Sequence, residues 1–144
     1  MIDVTQAMQD ALAAEHAVIY GYAAAGAHLA GADLAAVRAG DTAHRDRRDA
    51  LAAAVRARDA EPVTAQPAYQ LPFPVTGRLA ALKLLATLED GAAAAWHYLV
   101  AAADTGALRS TAVATLIDTA VRATAWRRVA EPARATPAFP GQPA

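Results

Sequence analysis

Apolar residues along this chain recur at spacings of three and four, the step that keeps side chains on one face of a helix. The first such stripe reads Met8, Leu12, Glu15, Val18, Ile19, Tyr22. It predicts a helix from about Thr5 to Ala30, capped by Asp3 or Thr5 and stopped at Gly31. A second helix, capped by Asp33, is predicted to run to about Asp59 with Val37, Asp41, His44, Arg48, Leu51 and Val55 facing inward. Thr76 opens a third, through Leu79, Leu82, Leu85, Glu89, Trp96 and Leu99 to about Asp104. After the turn at Thr105 and Gly106, a fourth carries Val113, Leu116, Ile117, Val121, Trp126 and Val129 inward as far as Glu131. Between the second and third lie Pro62, Pro67, Pro72 and Pro74, with Tyr69, Leu71 and Phe73 among them. Proline lacks an amide donor and pushes the preceding residue to extended geometry, so this stretch is a crossover loop that packs on the bundle. Residues 132–144, with four further prolines, are expected to form a flexible tail outside a bundle spanning residues 1–131.

The stripes are not purely apolar, and their polar members repeat. Glu15 and Glu89, His44 and Asp118, Arg48 and Arg122, and Tyr22 and Trp96 are each 74 positions apart. Two copies of one helix pair would produce that pattern, each with a carboxylate facing a basic or ligand residue. Two helical hairpins joined by a long proline-rich loop make an all-α four-helix bundle with one crossover.

Composition narrows the chemistry. Of 144 residues, 44 are alanine, which favours helices packed at close range. A net charge of −1 offers no global attraction to nucleic acid or anionic lipid. The basic run His44-Arg45-Asp46-Arg47-Arg48-Asp49 alternates with aspartates and reads as a solvated face with one arginine, Arg48, turned inward. The lack of cysteine rules out disulfides and thiolate chemistry. No leader sequence or membrane span is read, so a cytoplasmic location is expected, with neither membrane nor nucleic acid as partner.

The segments Glu15-His16-Ala17-Val18-Ile19-Tyr20-Gly21-Tyr22, His44-Arg45-Asp46-Arg47-Arg48-Asp49-Ala50-Leu51 and Pro67-Ala68-Tyr69-Gln70-Leu71-Pro72, with Leu88-Glu89 and Trp126-Arg127, resemble an alanine-rich, ferritin-like bacterial family of no assigned function. The resemblance implies a ferritin-like four-helix bundle and a homodimer, and brings no reaction with it.

Di-iron bundles place a glutamate on each of two helices and Glu-x-x-His on each of the others. On that scheme the ligands here would be Glu15, Asp41, His44, Glu89 and Asp118, and the fourth helix lacks both its glutamate and its histidine. Axial level points elsewhere. About a first turn centred on Ala32, Glu15 stands beside Arg48; about one centred on Gly106, Glu89 stands beside Arg122. The expected core cluster is therefore Glu15, His44, Arg48, Tyr69, Glu89, Asp118 and Arg122, with Tyr69 as a lid from the loop. The catalytic residues are unknown. The first reading is a binding or interaction module without a metal. The alternatives are an iron or manganese oxidoreductase and a binder of a small acidic metabolite held by Arg48 and Arg122. His16, His28 and His97 are expected away from the site, and Trp96 and Trp126 as core fillers.

Overall fold

The computed structural model describes residues 1–137 and 139–142; of the expected tail, Ala138, Pro143 and Ala144 lie outside the described residues. Four helices account for its regular structure: α1 (Val4–Gly26), α2 (Gly31–Arg56), α3 (Arg78–Ala102) and α4 (Gly106–Ala130), followed by a single 3-10 turn at Pro132–Arg134. The fold is all-α. Asp3 caps α1 by accepting from the amides of Thr5 and Gln6, and Thr105 caps α4 through the amide of Leu108. Each cap satisfies donors that a helix start leaves unpaired. No helix is long and apolar enough to cross a membrane among the described residues.

The first turn departs from expectation. α1 stops at Gly26, four residues before Ala30, and Gly31 is already the first residue of α2. Gly31 does take the left-handed backbone expected of it, φ +56°. Asp33 lies in the first turn of α2 and binds Arg78 at 2.7 Å instead of capping the helix.

α1 packs against α2 and α3, and α3 against α4, whereas no Cα of α2 comes within 8 Å of one in α3 or α4. The core sits where α1 and α3 meet, around Met8, Leu12, Tyr22, Leu82, Leu85, Trp96 and Leu99. Residues of the crossover strap α1. Gln9 donates to the carbonyl of Glu61 at 2.7 Å and accepts from the amide of Val63 at 2.8 Å. Leu71, Phe73 and Val75 rest half-buried against the core.

α4 buries a different face from the expected one, although Leu116 and Trp126 do turn inward. Its buried face is Ala112, Thr115, Thr119, Ala123 and Trp126, while Val113, Ile117, Val121 and Val129 are exposed. Small side chains let α4 approach α3 closely. Thr119 removes its own polarity from that seam by donating to the carbonyl of Thr115 at 3.0 Å.

Candidate functional site

Glu15, His44 and Glu89 are completely buried. They stand on α1, α2 and α3, and His44 bridges the two carboxylates. Its Nδ1 lies 2.6 Å from Glu15 Oε2 and its Nε2 3.0 Å from Glu89 Oε1. Both contacts require an N–H, so the ring is an imidazolium. Burial alone would lower its pKa, but hydrogen bonds and charge from Glu15 and Glu89 outweigh that and push it up to about 9.

Two aromatic donors complete the cluster in reciprocal fashion. Trp96 of α3 donates to Glu15 of α1 at 2.6 Å, and Tyr22 of α1 donates to Glu89 of α3. Each donor follows its own helix's glutamate by seven residues, so the crossing contacts require α1 and α3 to run antiparallel. Trp126 of α4 donates in turn to the Tyr22 hydroxyl at 3.2 Å. Burial and the charge of Glu89 push the Tyr22 phenol far above its ordinary range, so it remains a donor. The Tyr22 ring occupies the space left by the missing side chain of Gly40, where a Cβ would stand 2.5 Å from a ring carbon.

On the other side of Glu89, Arg122 Nε approaches Oε1 to 3.3 Å. That contact is one of charge, since Nε makes no aligned hydrogen bond. Arg122 Nη2 donates to Asp118 at 2.9 Å, and Arg47 of α2 donates to the same Asp118 oxygen. A run of ion pairs, Arg47–Asp118–Arg122–Glu89, thus leads inward from the open side between α2 and α4. Asp118 lies well below the usual carboxylate range: its partial burial opposes this, but Arg122 and Arg47 prevail.

Because α2 and α4 stand apart, a groove of about 410 Å3 opens between them. Ala32, Ala36 and Ala39 line it from α2, and Val121, Ala125 and Val129 from α4. Asp118, Arg122 and Trp126 also line it. The buried cluster and the surface groove therefore share two side chains, Arg122 and Trp126.

Of the expected cluster, Glu15, His44, Glu89 and Arg122 come together, and Asp118 is tied to them only through Arg122. Arg48 does not: it pairs with Asp49 at 2.9 Å, and its neighbour Arg47 is the arginine that joins the network. The early end of α1 explains the shift. A turn centred between Gly26 and Gly31 puts Glu15 within about 3 Å of His44's level and about 9 Å from that of Arg48. Tyr69 does not cover the core either. Its ring lies 5.5 Å from that of Tyr20 and its hydroxyl accepts from the amide of Gln66. Asp41 pairs with Arg45 at 2.7 Å on the outer side of α2. Of the five residues a two-metal scheme would use, three converge, each carboxylate already holds an aromatic donor and both histidine nitrogens are engaged. His16 reaches the carbonyl of Val63, 3.0 Å away, on the loop strap.

Trp96, Tyr22, Trp126 and Arg47 were not expected at the site. The signal for the first two was present in the sequence: an aromatic donor seven residues after the glutamate in both halves of the repeat.

The family model for a domain of unknown function, DUF4439, matches residues 7–144. The chain belongs to this family. Among solved structures, a conserved hypothetical protein from Mycobacterium tuberculosis, rv2844, superposes with a TM-score of 0.85 at 36% sequence identity. The match covers 88% of this chain and 96% of that one. No curated protein matches the chain. The DUF4439 bundle is accordingly placed in a family without an assigned activity, and its function has to be argued from the groove and the cluster beneath it.

Proposed function

We propose that this DUF4439 protein is a binding module of ferritin-like architecture whose binding surface is the α2–α4 groove and whose core works without a metal. The observation that carries the reading is which face α4 buries. Its valines and Ile117 face outward beside a groove of about 410 Å3, within the size range of small-molecule sites. An apolar surface in that position gains free energy by being covered. The polar core, by contrast, is already satisfied around Glu15 and His44, as a structural ion-pair network would be. A neutral apolar fluorophore such as Nile red tests the groove. It is expected to bind the wild-type chain and to be excluded by Ala36→Trp, which fills the groove from an exposed position. Absence of binding, or binding untouched by the substitution, would end this reading.

The same outer face of α4 suits a second copy of the chain, which is the form of a cytoplasmic homodimer proposed here. Ile117→Arg is expected to bring the sedimentation mass down to that of one chain; a wild type that already sediments as one chain contradicts it.

A metal-dependent oxidoreductase is favoured by one observation, the meeting of Glu15, His44 and Glu89. The donor set argues against it. Asp41 is spent on Arg45 and Asp118 on Arg47 and Arg122, and the Arg122 guanidinium stands beside Glu89 where a second cation would have to lie. Ferrous iron and oxygen are expected to give no oxo-bridged absorption; a band present in the wild type and absent in Glu15→Ala would restore the enzyme reading.

A further inference from the structure

We propose that an apolar ligand in the α2–α4 groove tightens the self-association of the chain, so that a second copy roofs the groove and the ligand is held between the two. This rests on the groove being the binding surface and names what completes and regulates it.

Ile117, Val121, Ala125 and Val129 follow one another at steps of four on the outer side of α4, and all four are exposed. At about 100° per residue they wind over about 120° of the helix surface. Three of them, Val121, Ala125 and Val129, are also the α4 wall of the groove, with Ala32, Ala36 and Ala39 opposite. The groove is thus one flank of the apolar surface that a second copy covers, and the same side chains serve both. A partner helix about 10 Å across, laid over Val121 and Val129, overhangs the groove mouth. A two-fold contact uses the same surface of both copies, so both grooves are roofed together.

Area decides the sign of the coupling. α4 has 25 residues, about 37 Å of helix, and a contact about 10 Å wide along all of it covers about 400 Å2. A stable interface buries about 800 Å2 on each partner. The helix face alone therefore gives a weak dimer. An empty groove of about 410 Å3 beneath the roof weakens it further, because its lining loses contacts that a packed interface would make. A ligand that fills the groove reverses both effects. It extends the apolar surface beside Val121 and Val129, and it removes the void. Its own outer side, wet in a single chain, is covered in the dimer.

Charge does not oppose the closure. On the groove wall Asp33 is paired with Arg78, and Asp118 with Arg47 and Arg122, all within one copy, so the roof buries no bare charge there. The ligand is apolar because the facing walls of alanine and valine offer it no polar partner. The small acidic metabolite expected from the sequence depended on Arg48 as a free cation, and Arg48 lies beside Asp49.

Sedimentation of the full-length chain over a concentration series, with and without Nile red, tests the coupling. The dye is expected to lower the dimer dissociation constant about tenfold or more, a usual size for coupling between two sites. Ile117→Arg removes the dimer through a residue that does not line the groove. Coupling is reciprocal, so this variant is expected to bind Nile red more weakly than the wild-type dimer does. Ala36→Trp fills the groove from an exposed position on α2 and is expected to give a dimer indifferent to the dye. Failure of Nile red to bind the wild type, or its indifference to Ala36→Trp, defeats the groove itself. Nile red seated in the groove while the dimer constant stays the same or rises overturns the coupling alone, as does a dye-bound wild type that keeps the mass of one chain. An Ala36→Trp dimer still tightened by the dye overturns it too, since the effect then bypasses the groove.

Discussion

In the first helical pair both oxygens of the buried glutamate are matched, Glu15 Oε2 by His44 and Oε1 by Trp96. In the second pair the equivalent residue is loaded on one side. Glu89 Oε1 meets His44, Tyr22 and Arg122, while Oε2 has no hydrogen-bond partner among the described residues. Asp118, 74 positions after His44, points away from its glutamate to Arg47, and an arginine one turn further on takes up the charge. The pairs have come to divide the work. The first is a closed strut holding α1, α2 and α3 together, and the second leaves one carboxylate oxygen unpaired among the described residues.

The largest effect is expected at the strut. His44→Leu leaves two buried carboxylates facing each other with their shared cation gone, a loss of the kind that costs about 3–5 kcal/mol. Urea denaturation at pH 7 measures it. A loss below about 1 kcal/mol would mean that His44 bridges nothing in solution.

The same residue sets a pH dependence. Its folded pKa of about 9 stands above the ordinary 6.5. A raised pKa means that the folded state holds the proton more tightly, so the stabilisation is complete below pH 6.5 and disappears as pH rises through 9. Between those limits stability is expected to fall by up to about 1.4 kcal/mol per pH unit, on the order of 3 kcal/mol in all. Urea midpoints from pH 6 to 9.5 test this, and His44→Leu should lack the slope. A wild-type midpoint flat over that interval would show His44 to be neutral, and the two-sided bridge with it would be lost.

How much of this was legible in the sequence follows from what each feature depends on. Glu15, His44 and Glu89 stand out because a charged residue on an apolar stripe is rare, and the 74-residue step shows that two of them are related. Which arginine joins them depends on where α1 stops, and a displacement of four residues at Gly26 exchanges Arg48 for His44 at the level of Glu15. Element ends are set by turn geometry that the apolar pattern does not contain. α4 failed for another reason. Valine and isoleucine at Val113, Ile117, Val121 and Val129 make a better hydrophobic stripe than Ala112, Thr115, Thr119 and Ala123. Close approach to α3 selected the small face all the same. Size complementarity belongs to the helix pair and cannot be read from one helix.

The two glutamates themselves offer a finer contrast. In Glu15→Gln the amide NH2 must face either Trp96 or His44, both donors, and one of the two hydrogen bonds becomes a clash. In Glu89→Gln the NH2 can take the vacant Oε2 position, leaving Oε1 to accept as before. Chemical denaturation should therefore give a loss of about 2–4 kcal/mol for Glu15→Gln and about 1–2 kcal/mol for Glu89→Gln. Equal losses would remove the distinction between a complete half and an unfinished one.

The smallest effect is a matter of sign. Gly40 and Ala114 hold corresponding positions in the repeat, both within helices. On an exposed helix, glycine to alanine gains about 1 kcal/mol. At Gly40 the added methyl would stand 2.5 Å from the Tyr22 ring, whose hydroxyl is held by Glu89 and Trp126. Crowding of that kind costs about 1–3 kcal/mol and outweighs the helix term. Gly40→Ala is thus expected to lower the melting temperature, although its helix propensity improves. Ala114→Gly, on the exposed side of α4, is expected to lower it by the propensity difference alone. A stabilised Gly40→Ala would show that the Tyr22 hydroxyl is free to leave Glu89, and the cross-links between the halves would be looser than these distances imply.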